Sequence, residues 1–334
     1  MSKIKSKLTI KNLSLKNRII MPPMATRKAD INGKISDDLL NWYDEKSKGG
    51  YFSLIIIEHS FVNSRGKANN NQISIASDND IYGLEKLVDI IHKNGSYVVA
   101  QISHSGARGL LGTNNIAPSA INSSDSICKG KLWIAEKGLS KSQISDLVND
   151  FANAALRAKK AGFDAVEIHS AHGYLLNQFY SPITNHRTDE YGGDVMGRIK
   201  IHLEIIDAIR KKVGEDFPIM LRFGALDYLE GGSSKEDALV AASAFEKAGV
   251  DILDISGGLY GYTVKGRENI AGYFSDASEI IKKIVSTPII LTGGIKDIND
   301  AEKLLKEEKA DLIGIGRAVF KDSKWIENAI NSID

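Results

Sequence analysis

The sequence predicts an α/β fold, a (β/α)8 TIM barrel with an N-terminal hairpin and a long loop excursion after the third strand. Eight short apolar segments alternate with longer segments of helical periodicity, which is the order of elements in a closed parallel barrel. Their near-continuous hydrophobicity suits strands that are buried on both faces. The 334 residues include only six prolines and contain no recognisable linker. We therefore predict one domain over residues 1–334.

The order of the elements can be read along the chain. The predicted strands are 18–21, 53–58, 97–102, 165–169, 218–223, 252–256, 288–291 and 312–315. Helical spacing is clearest in 80–94 and 141–160. A repeat, Lys-Ala-Gly-Phe/Val-Asp at 160–164 and 247–251 with Glu-Lys-Ala-Asp at 308–311, precedes three of the strands. We expect Gly162 and Gly249 to adopt the left-handed conformation that ends a helix.

Composition excludes several classes of protein. Lys plus Arg is 43 and Asp plus Glu is 42, a balance that argues against binding to nucleic acid. No apolar segment approaches the roughly 20 residues of a membrane span, and residues 1–10 lack the apolar core of a secretory signal. The single cysteine, Cys128, excludes an intrachain disulfide and a metal site built from several thiolates. We expect a cytoplasmic protein that acts on a small molecule, with homo-oligomerisation left open.

Polar residues and glycines collect directly after the predicted strands. In a (β/α)8 barrel this end of the strands forms the active site, so the distribution indicates an enzyme. The positions are 22–26, Glu58, His59, Gln101, His104, His169, His172, Arg222, 256–258, 292–294, Gly316 and Arg317.

Two of these loops predict a phosphate site. Gly293 and Gly294 follow strand seven, and Gly316 and Arg317 open a short helix after strand eight. Backbone N–H groups, a helix N-terminus and a guanidinium together suit an anion. At this point the phosphate could belong to a cofactor or to a substrate.

His169, His172 and Tyr174 lie on the turn that leaves strand four. Two imidazoles can donate hydrogen bonds to one oxygen, and a phenol can supply a proton. A zinc site is disfavoured because this spacing on a turn is poor chelate geometry and further ligands are not apparent nearby. We predict no metal.

These motifs together resemble the old yellow enzyme family, FMN-dependent NAD(P)H oxidoreductases built on a single barrel. The similarity covers nearly the whole chain in the family's order. It rests on Asn-Arg-Ile-Ile-Met-Pro-Pro-Met at 17–24, Gln-Ile-Ser-His-Ser-Gly at 101–106, the stretch 167–193 with His-Gly-Tyr-Leu-Leu and Asn-His-Arg-Thr-Asp-Glu-Tyr-Gly-Gly, Leu-Arg-Phe at 221–223, Thr-Gly-Gly-Ile at 292–295 and Ile-Gly-Arg at 315–317.

The resemblance implies positions for the cofactor. Pro23, Met24 and Ala25 would line the flavin, and Gln101 and Arg222 would bind its pyrimidine edge. The fixed positive charge of Arg222 suits an anionic reduced flavin. The glycines and arginine of the phosphate loops would then hold the FMN phosphate.

The resemblance also implies a reaction. NADH or NADPH would reduce FMN, and an α,β-unsaturated carbonyl or nitro compound would then take a hydride from N5 of reduced FMN. His169 and His172 would bind the substrate oxygen, and Tyr174 would protonate the α-carbon. Reduction of free flavin or a quinone at the same site is the alternative. A lyase or isomerase for a phosphorylated substrate and an FMN-binding protein with little turnover are less favoured.

Three residues depart from the family pattern. Ala25 stands where relatives often have Thr or Cys beside the flavin, and Arg27 replaces a tyrosine found in some relatives. His59 replaces a residue that is usually small, so it either contacts the cofactor or turns away. Residues 103–138 are too long for a plain connection, and we predict a substrate lid with Trp133 as one wall.

Overall fold

The computed structural model describes residues 2–110, 114–122 and 133–333; Cys128 lies outside the described residues. The strands are β1 (Leu8–Ile10), β2 (Leu13–Leu15), β3 (Ile19–Met21), β4 (Leu54–Ile56), β5 (Ser60–Phe61), β6 (Tyr97–Ser103), β7 (Ile121–Asn122), β8 (Ile134–Ala135), β9 (Ala165–Ser170), β10 (Ile219–Leu226), β11 (Ile252–Gly257), β12 (Ile289–Leu291) and β13 (Leu312–Gly314). The α-helices are α1 (Asp37–Ser47), α2 (Ile81–Lys93), α3 (Lys141–Lys160), α4 (Leu175–Tyr180), α5 (Val195–Val213), α6 (Lys235–Lys247), α7 (Ser275–Lys282), α8 (Ile298–Lys306), α9 (Arg317–Lys321) and α10 (Trp325–Asn331).

Eight parallel strands close into a barrel, which confirms the predicted fold. The order around the barrel is β3, β4, β6, β9, β10, β11, β12 and β13. The β4–β6 and β13–β3 pairings complete the circle. The main difference from the prediction is that β10 continues to Leu226, because its last residues still pair with β11 across an irregularity after Gly224.

The predicted N-terminal hairpin is also present. β1 and β2 pair antiparallel, and Leu13 and Leu15 are buried. They pack in one cluster with inward residues of the barrel strands, including Ile20, Leu54 and Met220. The hairpin therefore closes the N-terminal end of the barrel with apolar side chains.

Inward side chains change character along each strand. Successive residues of a strand point to opposite faces, so alternate residues line the interior. On β9 the inward residues are Ala165, then Glu167 and His169, and on β10 they are Met220 and then Arg222. Ala165 and Met220 belong to the apolar cluster that includes the hairpin residues Leu13 and Leu15. The interior is thus apolar near the hairpin and polar toward the C-terminal ends.

The sequence repeat has a structural explanation. Gly162 and Gly249 have φ of 85° and 91°, as predicted, and Glu308 takes the corresponding left-handed position in the third copy with φ of 55°. The Asp that ends each copy accepts an N–H from the first or second residue of a neighbouring strand. The pairs are Asp164 with Val98, Asp251 with Ile219 and Asp311 with Ile289, at 2.7, 2.8 and 2.9 Å.

The described parts of the long excursion after β6 contribute Arg108 and Trp133 to the lining of a cavity at the barrel. Its described part contains an antiparallel pairing of β7 with β8, and Trp133 directly before β8 is fully buried. The chain then enters α3, where Ser140 and Gln143 form a capping box. No helix in the part of the chain described is long and apolar enough to cross a membrane.

Candidate active site

A cavity of about 730 Å³ opens at the C-terminal ends of the barrel strands. This volume falls in the range of roughly 300–1,000 Å³ that is typical of small-molecule sites. Every residue that the sequence analysis assigned to cofactor or catalysis lines it. These residues are Pro23, Met24, Ala25, His59, Gln101, His169, His172, Tyr174, Arg222, Gly293, Gly294, Gly316 and Arg317.

The base of the cavity carries two polar pairs. The Gln101 amide donates to Oε1 of Glu167 at 2.7 Å, and Nε of Arg222 lies 3.4 Å from a carboxylate oxygen of Asp254. Each pair joins register partners on adjacent strands, so both side chains point inward from the same level. The carboxylates fix an amide and a guanidinium beneath the cavity.

Sequence reasoning missed the two carboxylates. Glu167 and Asp254 are fully buried, and both oxygens of Asp254 lack a hydrogen-bond partner among the described residues. Burial raises the pKa of Glu167 well above its usual value, and the nearby Asp254 adds to the rise. The sequence does contain one signal for them, an acidic residue in the middle of an apolar strand segment, because a buried charge is costly unless it has a partner.

His169 and His172 lie close together, with ring centroids 5.1 Å apart. In the turn that follows β9, His172 adopts a left-handed conformation with φ of 59°, and its N–H donates to the Gly257 carbonyl. Its Nε2 lies 2.7 Å from the Ser256 hydroxyl. Burial lowers the pKa of both histidines well below the usual value, and neighbouring groups that include Arg222 lower it further. Both rings are therefore neutral at pH 7.

Tyr174 completes the group, with its ring centroid 5.0 Å from that of His169. The Arg108 guanidinium lies between two rings, 5.3 Å from the centroid of Tyr174 and 5.3 Å from that of Trp133. Burial raises the pKa of Tyr174, while the charges of Arg108 and Arg27 oppose the rise. The phenol is protonated at neutral pH and carries a transferable proton.

His59 faces the cavity and does not turn away. Its Nδ1 lies 2.8 Å from the amide nitrogen of Gln72, which assigns the ring proton to Nε2. Its ring centroid is 5.2 Å from that of Tyr174. Burial, with the charges of nearby arginines, lowers the pKa of His59 to about 4. Its contact with the cofactor stays a prediction.

The opposite end of the cavity has the features of an anion cradle. Gly293 and Gly294 have φ of 103° and 71°, and a Cβ at Gly293 would come within 2.6 Å of the Tyr273 ring. Gly316 precedes α9, and the Arg317 guanidinium donates to the Tyr273 hydroxyl at 3.1 Å. Only glycine fits this turn, which exposes backbone N–H groups beside a positive side chain.

The loop after β3 is held by a residue whose role the sequence did not indicate. The buried Glu58 carboxylate accepts hydrogen bonds from the N–H and the hydroxyl of Thr26, and the backbone of Arg27 also bonds to it. Arg27 has a left-handed φ of 58° and lines the cavity. Burial raises the pKa of Glu58 to about 7 against these hydrogen bonds.

The residues present fit FMN. The described lining residues include four arginines and no carboxylate, which suits a cofactor with a phosphate. Gln101 and Arg222 offer a planar amide and a planar cation, and the glycine turn with Arg317 offers a site for an anion in the same cavity. The described residues contain no group of three or more His, Cys, Asp or Glu side chains placed to hold a metal.

Fold and cavity together define a class of protein, a (β/α)8 barrel with a cavity at the C-terminal strand ends whose lining suits FMN. The family described as "NADH:flavin oxidoreductase / NADH oxidase family" matches residues 6–333. The chain therefore belongs to this family, the old yellow enzyme family that its motifs resemble.

Individual relatives agree with this assignment. An NADPH dehydrogenase of Clostridium acetobutylicum is 38% identical over 326 residues, 97% of this chain and 93% of the relative. An NADH oxidase of Thermoanaerobacter brockii is 37% identical over 328 residues, 96% of this chain and 49% of the relative. This chain thus spans about half the length of that oxidase. The old yellow enzyme homologue from Zymomonas mobilis superposes with a TM-score of 0.83 at 24% identity, covering 98% of this chain and 93% of that one.

Proposed function

We propose that the protein is an NAD(P)H-dependent ene-reductase that reduces the C=C bond of an α,β-unsaturated carbonyl or nitro compound. The observation that carries the proposal is the convergence of His169, His172 and Tyr174 on a cavity that also contains Gln101 and Arg222. A protein that only stored FMN would gain nothing from a buried phenol beside two neutral imidazoles.

Bound FMN supplies a two-electron carrier that accepts a hydride from NAD(P)H and passes a hydride to the alkene. Gln101 and Arg222 would hold its pyrimidine edge, and Gly293, Gly294 and Arg317 would hold its phosphate. The cation of Arg222 favours the added negative charge of the reduced form. Overall, NAD(P)H, one proton and the alkene give NAD(P)⁺ and the saturated product.

The protein's own residues polarise and protonate the substrate. Neutral His169 and His172 donate hydrogen bonds to the carbonyl or nitro oxygen, which withdraws electron density from the adjacent C=C bond. Tyr174 delivers its proton to the α-carbon as the hydride arrives at the β-carbon. A general acid of this kind contributes about 10² to 10⁴ in rate.

The experiment is a visible spectrum of the purified protein under anaerobic conditions. We expect a yellow protein that bleaches with NADH or NADPH and regains its colour when cyclohexenone is added. Bleaching with recovery only on free flavin or quinone would replace the ene-reductase by a flavin or quinone reductase. A colourless protein that FMN cannot reconstitute would overturn the proposed function.

A further inference from the structure

Two of the four cavity arginines have no part in the function proposed above. Arg222 is paired with Asp254 at the base, and Arg317 lies at the phosphate end. Arg27 and Arg108 also line the cavity, yet neither forms an ion pair with a carboxylate in the described parts of the chain. Charged side chains that line a binding site without a counter-ion favour an anionic ligand.

Arg108 is held rigidly at the reacting end of the cavity. Its guanidinium is stacked between Trp133 and Tyr174, and it donates to the carbonyl oxygen of His172. A guanidinium has five N–H donors, so donors remain for a ligand. The positive charge of Arg108 therefore lies 5.3 Å from the ring centroid of Tyr174, the proposed proton donor.

Arg27 is placed at the cavity by a strained turn. Its left-handed φ of 58° is unfavourable for a residue with a Cβ. The buried Glu58 carboxylate stabilises this turn through Thr26 and the Arg27 backbone. Local strain supported by a dedicated buried group is typical of functional positions.

We propose that Arg27 and Arg108 form an anion subsite, and that the substrate is an electron-poor alkene that carries a carboxylate a few bonds from its activating carbonyl. This inference rests on the proposed ene-reductase function. The subsite would bind the carboxylate while His169 and His172 hold the carbonyl oxygen. Charge-assisted hydrogen bonds from a guanidinium to a carboxylate are among the stronger polar contacts.

The phosphates of NAD(P)H are a second source of negative charge, because the nicotinamide occupies the same cavity in turn. A ribose separates these phosphates from the nicotinamide ring. The Arg108 guanidinium lies 5.3 Å from the ring centroid of Tyr174, the proposed proton donor, so a group on the alkene that Tyr174 protonates can reach it. The geometry therefore favours the alkene's own carboxylate.

The test compares trans-4-oxo-2-pentenoate with its methyl ester. The two alkenes differ in charge and in the electrophilicity of the C=C bond, so the readout is the change in their ratio of kcat/KM with salt and with mutation. In the wild type we expect the acid-to-ester ratio of kcat/KM to fall as salt is added, because salt screens the attraction between the arginines and the carboxylate. Arg108→Gln and Arg27→Gln should each lower the acid-to-ester ratio of kcat/KM by roughly ten- to hundredfold. Arg108→Lys, which keeps the charge and loses the stacked plane, should retain part of the preference.

Controls separate this proposal from the function on which it rests. Arg65→Gln, at an exposed arginine outside the cavity lining, should leave the ratio unchanged. The rate of flavin bleaching by NAD(P)H should stay at the wild-type value in Arg65→Gln, and in the Arg27 and Arg108 variants it should fall by less than the acid-to-ester ratio. Equal loss in bleaching would assign the arginines to the donor's phosphates, and an unchanged acid-to-ester ratio would overturn the subsite while the ene-reductase stands. Failure to reduce either alkene in the wild type would instead reject the proposed function.

Discussion

The two ends of the barrel use aspartate carboxylates in opposite ways. At the N-terminal end Asp251 accepts the first N–H of β10 and binds Arg210 at 2.8 Å, so its hydrogen-bonding capacity is satisfied locally. Asp254, three residues further along in β11, points into the C-terminal end of the barrel. Its one ion pair among the described residues is with Arg222 at 3.4 Å, and both of its oxygens lack hydrogen bonds there.

The difference separates stability from function. Satisfied carboxylates at the N-terminal end join strand to helix, and the hairpin seals that end with apolar side chains. Incompletely satisfied polar groups at the C-terminal end are costly in the free protein and become useful when a polar ligand meets them. Such groups are expected where a ligand binds, which agrees with the cavity lying at that end.

The largest expected effect is on the rate at the C-terminal end. Tyr174→Phe should slow alkene reduction by about 10² to 10⁴, because the hydroxyl that supplies the proton is lost. Flavin bleaching by NAD(P)H should stay nearly unchanged, as stopped-flow spectra would show. Tyr180→Phe is the control, since the Tyr180 hydroxyl donates to the Ala225 carbonyl and lies away from the cavity lining. Equal slowing of both half-reactions would remove Tyr174 from the role of proton donor.

The next effect is on stability at the base of the cavity. Asp254→Asn should lower the free energy of unfolding by about 3 kcal/mol, because Arg222 would keep a buried charge without its counter-ion. Urea unfolding of the FMN-loaded protein measures the loss, and its visible spectrum reports any change around the flavin. If the free energy of unfolding falls no more than in Asp251→Asn, other groups already compensate the charge of Arg222.

Glu58 gives the C-terminal end a distinctive pH dependence. Burial raises the pKa of the Glu58 carboxyl from 4.5 in the unfolded chain to about 7 in the folded protein. Between these pH values only the folded state holds the proton. Stability should therefore fall as pH rises through this window, by at most about 3 kcal/mol relative to Glu58→Gln. Unfolding of both proteins from pH 4.5 to 8 tests this. A constant difference would mean that the hydrogen bonds from Thr26 keep the carboxylate ionised.

The smallest effect belongs to the N-terminal end. Asp251→Asn should cost about 1–2 kcal/mol, since it weakens hydrogen bonds at the start of β10 and the partly exposed contact with Arg210. We expect the flavin spectrum and both half-reactions to stay at wild-type values. A spectral change in this variant would contradict the separation of the two ends.

Much of the site could be predicted from the C-terminal ends of the predicted strands. The order of apolar segments located all eight barrel strands, and residues directly after them, such as His169 and Gly293, lie on the cavity as the barrel geometry requires. Glu167 and Asp254 were missed because a charged residue within an apolar segment gives no sign of its partner. Arg108 was missed because its position depends on the packing of Trp133 from a distant part of the excursion.

The sequence by itself determined the (β/α)8 barrel, its hairpin, the family and the residues gathered at the C-terminal end. These follow from periodicity and local motifs, which short stretches of chain contain completely. Only the tertiary structure decided that Gln101 pairs with Glu167, that His59 faces the cavity, and that Arg108 is stacked against Tyr174. Such contacts join residues far apart in sequence, and burial and distance set their pKa values and chemistry only after the chain has folded.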